Sequence, residues 1–424
     1  MKIDASRGLR GRLTIPGDKS VSHRAVMIGA LAEGTTRVSH FLPSADCLST
    51  IDCMRRMGVA IEHDGESLTV HGVGLHGLTK PDSTLNAGNS GTTTRLLSGI
   101  LAGQAFDSRI TGDASLTSRP MKRIITPLTK MGGSVISENG SGCAPLLISG
   151  RPLTGITYRT PVASAQIKSC LLLAGLYADS PTTVIEPALS RDHSERMLKV
   201  FGADITSSGT TAVIRPGQTL RGCDIHVPGD ISSAAYFLAA GLLVPGSEIR
   251  LDHVGTNATR DGILRVIKAM GGDVICLDSR GEEGEPSADL LVRPGRLTGT
   301  TIGGSLIPTL IDELPMIAVM AAFADGETVI TDAAELKVKE TDRLTLITEN
   351  LTRMGADITA TDDGMIIRGG CPLHGAVIET LGDHRMAMAF TVAGLVTGDM
   401  TIRDAACVDV SFPGFFEALK SLSL

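Results

Sequence analysis

The sequence has no tryptophan and only three tyrosines among its 424 residues, so base stacking on an aromatic platform is not its mode of action. It also lacks an excess of positive charge. Lys and Arg number 39 against 46 Asp and Glu, a formal net charge of −7, which argues against a nucleic-acid partner held by bulk electrostatics. Any anion site must be a local basic cluster on an acidic protein. The eight cysteines, at 47, 53, 143, 170, 223, 276, 371 and 407, include no C-x-x-C pair. Their scatter fits neither a zinc site nor a disulfide framework and suits a reducing cytosol. No apolar run approaches the length of a membrane span, and the opening MKIDASRGLRGRL lacks the apolar core of a signal peptide. Neither G-x-x-x-x-G-K-[ST] nor a G-x-G-x-x-G after a strand occurs, so nucleotide chemistry is not indicated. With 42% hydrophobic and 20% charged residues, the expectation is a soluble cytoplasmic protein, long enough for two domains.

What the chain does contain is repetition. A Leu-x-Gly/Lys turn recurs at Leu9, Leu78, Leu153, Leu220, Leu297 and Leu373, in steps of 69, 75, 67, 77 and 76 residues. At constant phase after each comes an Ala/Leu-rich helix running through a turn into a Thr/Val/Ile strand, as in ALAEGTTRV and AFADGETVI. A third marker, a helix ending in Met/Phe-Gly before a strand, appears in RMGVAI, KMGGSV, VFGADI, AMGGDV and RMGADI. Glycine just past an apolar helix is a stop signal, and the β-branched alternation behind it reads as strand. Each unit therefore reads strand, helix, strand, helix, hairpin. IPGDKSVSHRA and VPGDISSAAYF lie three units apart, which points to two pseudo-equivalent halves of three units each. Only the first carries charge after its Pro-Gly-Asp: Lys19, His23 and Arg24 stand where the second has Ile231, Ala235 and Tyr236.

The chemistry collects where the first helix of each unit begins: GDKSVSHR, GNSGTTTR, ASAQIKS, GDISSAA, IDELPMI and GDHRMAM. Helix starts expose unpaired N–H groups and the positive end of the dipole. Capping explains Asp230, Ser232 and Asn89 there. It does not explain Lys19, Arg24, Arg95 or Arg385, which oppose the dipole unless an anion accompanies them. A bound anion and a set of surface ion pairs both remain open. NAGNSGTTTR reads either as a backbone nest, with Gly91 admitting a ligand to the main chain, or as a plain glycine-rich turn. Second-helix starts add SLTSRPMKRI, where Pro120 suits the first helical position behind Arg119. In SRDHSERML, Asp192 and Glu195 form a capping box. In KVKETDRL, Lys339 and Arg343 would share a helix face with Glu340 beside them. Asp312 lies in the apolar IPTLIDELPMI, where a carboxylate serves either as an N-cap or, with a raised pKa, as a base.

PGDKSVSHRA, NAGNSGTTTRLL, SLTSRPM, ASAQIKS, IDELP, KVKETDRL and GDHRMAM, in this order over almost the whole chain, resemble the enolpyruvyl transferase family, in the branch whose acceptor is shikimate 3-phosphate. The resemblance implies an α/β (α+β) two-domain inside-out barrel of six βαβαββ repeats, three per domain. One domain would be discontinuous, residues 1–15 plus 229–424, and the other 16–228. The crossings would fall near 16–17 and 228–229, with the active site in the interdomain cleft. It also implies transfer of the enolpyruvyl (carboxyvinyl) group of phosphoenolpyruvate to the 5-hydroxyl of shikimate 3-phosphate, with release of phosphate, on the chorismate route to the aromatic amino acids. No cofactor or metal is implied, and a cytoplasmic monomer without nucleic-acid or membrane partners is expected.

By the same resemblance Lys19, Ser20, Arg24, Ser164, Gln166, Ser190, Arg191, Asp312 and Lys339 match shikimate 3-phosphate contacts. Lys19, Asn89, Gly91, Arg119, Gln166, Arg343 and Arg385 match those of phosphoenolpyruvate. Lys19, Asp312 and Glu340 are the catalytic candidates, Glu340 protonating the methylene carbon and Asp312 taking the hydroxyl proton. Sensitivity to glyphosate is expected, because Gly91 leaves room against the backbone. The chain departs from the family pattern at Glu335 (commonly Asn), Ala165 (commonly a second Ser) and Val410 (commonly Lys). Two other readings stand beside this one. The UDP-N-acetylglucosamine enolpyruvyl transferases share the fold but carry a cysteine where this chain has Ala114. A non-catalytic repeat protein that binds anions would need the cations but neither Asp312 nor Glu340.

Overall fold

The computed structural model describes residues 1–281 and 284–424. The chain divides into two compact units, Met1–Pro16 with Gly229–Gly281 and Pro286–Leu424, and Gly17–Pro228 with residues 282–285. Among the described residues each unit holds three small sheets. The expected six βαβαββ repeats are present, and among the described residues five four-stranded sheets share one pattern, a parallel pair continued by two antiparallel neighbours. In the second repeat, for example, strand Leu85–Asn86 runs parallel to Asp107–Thr111 across helix Gly91–Ala102. Leu146–Ser149 pairs antiparallel on its other side and Ser134–Ser137 forms the edge. In the sheet of the sixth repeat Lys2–Ile3 pairs antiparallel with Met400–Ile402, on the side that a hairpin strand takes in the other repeats.

The repeat markers have local physical causes. Helices Ala45–Arg56, Lys122–Lys130, His193–Val200, Gly262–Ala269 and Arg343–Arg353 are each followed by Met-Gly or Phe-Gly. The glycines, Gly58, Gly132, Gly202, Gly271 and Gly355, all have φ between +82° and +91°, a region open to glycine at little strain. The first helices are buried almost all round and form the cores. Ile231–Leu243, Leu314–Phe323 and His384–Thr397 pack together in one unit. In the other, Gly91–Ala102 packs on Lys19–Leu31 and on Ala165–Gly175. Contact with Ala165–Gly175 is close enough that a Cβ at Gly99 would overlap the Cys170 carbonyl oxygen.

The two Pro-Gly-Asp segments occupy two of the points where the chain passes from one unit to the other. In the other four repeats the first strand pairs with the strand after its own helix. In these two the partners are exchanged: Arg10–Thr14 pairs with Glu248–Gly255, and Asp224–His226 pairs with Glu33–Ser39. The segments brace one another in kind. Asp18 N–H donates to the Pro228 carbonyl at 2.7 Å, and Asp230 N–H donates to that of Pro16 at 2.9 Å. Both aspartates then cap the helix that follows, Asp18 accepting from Val21 N–H and Asp230 from Ser232 N–H. Among the described residues no helix is long and apolar enough to cross a membrane.

Candidate active site

In the unit holding Gly17–Pro228, the helix starts carry the cations expected of them. Lys19 Nζ lies 3.0 Å from Asp46 Oδ2. Burial pushes the Asp46 carboxyl up, but Lys19 beside it draws it below its ordinary value, and Arg119 adds to that pull. One turn on, burial drives the His23 imidazole down to about 3, so it is neutral, and its Nδ1 meets Thr50 Oγ1 at 2.7 Å. Ser90 caps helix Gly91–Ala102 by accepting from Thr93 N–H. Asn89 is not a cap: its amide donates to Asp113 Oδ2 at 2.7 Å and its Oδ1 accepts from Arg119 Nη2 at 2.7 Å. Pro120 is not the first helical residue either, since helix Lys122–Lys130 opens two residues later behind Met121.

Gly91 sits over two guanidinium groups. A Cβ on it would stand 3.0 Å from Arg95 Nη1 and 3.6 Å from Arg119 Nη1. Arg95 also bonds Gln166 Oε1, and Gln166 Nε2 donates to Thr92 Oγ1 at 3.3 Å. The structure thus joins Asn89, Gly91, Arg95, Arg119 and Gln166 around one helix start. Arg95 had no function assigned to it beyond its unfavourable place on the dipole.

A second group surrounds Arg24, whose guanidinium is buried and pushed down by that burial to about 10, which leaves it charged at neutral pH. It donates to Ser194 Oγ at 2.7 Å, Ser169 Oγ at 2.8 Å and the Ser20 carbonyl at 2.8 Å. Ser164 precedes helix Ala165–Gly175 and donates its N–H to Glu186 Oε1 at 2.9 Å. Ser190 donates its N–H to Glu186 Oε2 at 3.3 Å, and the half-buried Arg191 follows it. The capping box read from SRDHSERML does not form. Asp192 makes an ion pair with Arg196, and Glu195 turns inward to Lys168 at 2.8 Å. A buried lysine in need of a counter-charge outcompetes a solvent-side cap.

In the other unit, Asp312 is the hub. It does not cap helix Leu314–Phe323, which begins after Glu313. Its carboxylate instead meets Lys339 Nζ at 3.4 Å, Arg343 Nη1 at 3.6 Å and Arg385 Nη2 at 3.8 Å. Lys339 and Arg343 reach it from different elements rather than from one helix face. Lys339 closes the 3-10 turn Ala334–Val338, whereas Arg343 opens helix Arg343–Arg353 behind its cap Asp342. Arg343, with a side chain only 1% exposed, is held by Asp383 (Nε–Oδ2, 2.8 Å) and by Glu340 (Nη2–Oε2, 2.6 Å). Burial opposes the charge on Arg343 and Arg385, but the carboxylates around them raise both. Burial likewise pushes Glu340 up, and Arg343 with His384 overrides it, drawing the carboxyl down to about 2. Asp383 also caps helix His384–Thr397, accepting from Arg385 N–H at 2.9 Å, and Arg343 keeps its carboxyl low. Asp383 stands in the GDHRMAM helix start without a role read from the sequence, and its pairing with Arg343, forty residues away, leaves no local signal.

The charges divide the work. In the first unit Lys19 pairs with Asp46 beside Arg24, Arg95 and Arg119, whereas in the second Lys339, Arg343 and Arg385 share Asp312, Glu340 and Asp383. The first set is suited to holding anions. The second is suited to moving protons, since its carboxylates share cations whose pull a ligand anion would change.

Comparison with known proteins gives the family. The sequence model of the EPSP synthase (3-phosphoshikimate 1-carboxyvinyltransferase) family matches residues 3–419. The 3-phosphoshikimate 1-carboxyvinyltransferase of Desulforudis audaxviator is 53% identical over 100% of this chain and 99% of its own length. That of Brevibacillus brevis is 51% identical over 100% of both. The structure is similar to EPSP synthase from Acinetobacter baumannii, with a TM-score of 0.92 at 45% identity over 100% of this chain and 98% of the other. It shares its fold with the enolpyruvyl transferase NikO from Streptomyces tendae, with a TM-score of 0.80 at 20% identity over 99% and 96% of the two chains. The chain belongs to the EPSP synthase (3-phosphoshikimate 1-carboxyvinyltransferase) family, a family of transferases.

Proposed function

We propose that the chain transfers the enolpyruvyl group of phosphoenolpyruvate to the 5-hydroxyl of shikimate 3-phosphate, releasing phosphate, and that residues of both units act on this one substrate pair. The observation that carries the reading is Arg343. Its Nη1 meets Asp312 and its Nη2 meets Glu340, at 3.6 and 2.6 Å, so the two groups needed to move protons hang on one buried cation. A protein that only bound anions would need the cation without the pair.

Lys19, Asn89, Gly91, Arg119, Gln166, Arg343 and Arg385 are assigned to phosphoenolpyruvate, and Lys19, Ser20, Arg24, Ser164, Gln166, Ser190, Arg191, Asp312 and Lys339 to shikimate 3-phosphate. Glu340 is ionised beside Arg343, with its carboxyl at about 2. An anionic substrate settling on Arg343 and Arg385 takes over part of their charge, and the Glu340 pKa rises toward a value at which it holds a proton. Glu340 then protonates the methylene carbon while Asp312 accepts the 5-hydroxyl proton, and the hydroxyl oxygen bonds to the adjacent carbon. Elimination reverses the flow: a proton leaves the new methyl group, the double bond re-forms and phosphate departs. Lys19 and Arg119 stabilise the charge that gathers on the phosphate.

The reading places the enzyme in aromatic amino-acid biosynthesis, as a cytoplasmic monomer working on small soluble anions, with glyphosate as an inhibitor that competes at Gly91. Phosphate release from phosphoenolpyruvate tests it. Release is expected only when shikimate 3-phosphate is added; release with UDP-N-acetylglucosamine instead, or with neither acceptor, contradicts the assignment.

A further inference from the structure

Helix Ala165–Gly175 is apolar apart from Gln166, Ser169 and Lys168, yet it buries Lys168 almost completely. Lys168 Nζ lies 2.8 Å from Glu186 Oε2 and 2.8 Å from Glu195 Oε1, with all three side chains at most 7% exposed. Burial works against the lysine charge, but the two carboxylates hold its pKa above the ordinary value. Burial pushes Glu195 up. A buried ion triad of this kind adds little stability that a packed apolar trio would not supply, so where its remaining hydrogen bonds go is informative.

They go to the two stretches assigned to the acceptor. Glu186 accepts the backbone N–H of Ser164 through Oε1 at 2.9 Å and that of Ser190 through Oε2 at 3.3 Å. Lys168 Nζ donates to the Ser190 carbonyl at 3.3 Å. Both polar backbone atoms of Ser190 are therefore fixed by the triad, whereas its hydroxyl is buried with no hydrogen-bond partner among the described residues. A pinned backbone that leaves a hydroxyl uncommitted is what a ligand contact requires. The chain neighbours of Lys168 and Glu195 continue the pattern, since Ser169 and Ser194 are the residues whose hydroxyls hold the Arg24 guanidinium.

We infer that Glu186, anchored by Lys168, is a positioning residue for the phosphorylated acceptor, fixing the backbone at Ser164 and Ser190 so that their side chains meet shikimate 3-phosphate in a set geometry. The inference rests on the assignment of Ser164 and Ser190 to that substrate. Glu186 acts through those residues and touches neither substrate.

The test compares Glu186→Gln with wild type in the full chain. The amide keeps one acceptor oxygen but turns an N–H group toward a donor. The KM for shikimate 3-phosphate should rise about tenfold or more, the loss expected for a charge-assisted hydrogen bond, with the KM for phosphoenolpyruvate within about twofold. Glu195→Gln, which touches Lys168 but neither loop, should shift the acceptor KM less than about threefold on the same scale. In a double-mutant cycle with Ser190→Ala, the Glu186→Gln effect should shrink, because the two act through one contact. An equal rise in both KM values, or strict additivity with Ser190→Ala, would overturn the inference. If Glu186→Gln does not fold, amide exchange in the ligand-free wild type decides. Protection at Ser164 and Ser190 N–H supports the inference, and exchange at the rate of an open loop overturns it. Failure of the wild type to bind shikimate 3-phosphate would instead remove the substrate assignment itself.

Discussion

Replacing Gly91 with alanine isolates the anion-holding role of one helix start. Gly91 is the first residue of helix Gly91–Ala102, where alanine is at least as good a helix former, so helix propensity is not lost in the variant. The added Cβ stands 3.0 Å from Arg95 Nη1 and 3.6 Å from Arg119 Nη1. Ordinary contact needs about 3.5 Å or more, so the Arg95 guanidinium must retreat by about half an ångström. It is buried and already tied to Gln166 and to the Pro120 carbonyl, so the strain passes to the surface assigned to phosphoenolpyruvate. Losing one charge-assisted hydrogen bond there costs about 1.5–3 kcal/mol, which is about 10- to 100-fold in the KM for phosphoenolpyruvate. Steady-state phosphate release at saturating shikimate 3-phosphate measures it, with the acceptor KM expected to stay within about twofold. Inhibition by glyphosate should weaken along with phosphoenolpyruvate binding. An unchanged phosphoenolpyruvate KM in a variant as stable as wild type would refute the placement of that ligand over Gly91.

Asp383→Ala should lower stability by about 3 kcal/mol, because it strips the buried Arg343 of its bidentate partner; urea unfolding of the ligand-free protein measures it, and a loss below about 1 kcal/mol would contradict the pairing. Glu340 is drawn from an ordinary 4.5 down to about 2, so its ionisation favours the folded state fully above pH 4.5, and that contribution fades as pH falls from 4.5 to 2. Wild type and Glu340→Gln should therefore differ most in stability above pH 4.5 and converge toward pH 2; a constant difference across that window contradicts the Arg343 contact. Gly99→Ala should destabilise by about 1–3 kcal/mol without altering either KM, since its Cβ would overlap the Cys170 carbonyl in the core. A parallel change in KM would mean that helix packing and ligand binding are not separable there.

The architecture was legible because its signals are local. A helix stop at Gly58 or Gly355 follows from the positive φ that the next strand demands, and the same rule recurs unit after unit. The cations at Lys19, Arg24, Arg95 and Arg385 were legible for a related reason: each stands where a helix dipole disfavours it, so each asks for an anion. Partnerships between residues far apart in the chain were not legible. Asp46 with Lys19, Asp383 with Arg343 and Glu195 with Lys168 join residues 27, 40 and 27 positions apart, and no spacing rule reaches that far. Glu195 shows the competition directly. Its place three residues after Asp192 satisfies a local capping pattern, and the buried charge of Lys168 takes it instead. The paired Pro-Gly-Asp segments pointed to two halves, but the strand exchange behind them, Arg10–Thr14 for Asp224–His226, is visible only in the sheets.

Most direct is the fate of solvent protons during turnover. If Glu340 protonates the methylene carbon and a methyl proton is later returned, product formed in D2O from unlabelled phosphoenolpyruvate must carry deuterium in its enolpyruvyl group. Mass spectrometry of the quenched reaction should show that mass shift for wild type, and formation of any labelled product should fall by about 100-fold or more in Glu340→Gln. Product released at the normal rate with no deuterium would contradict the proton path through Glu340 and the addition–elimination chemistry built on it.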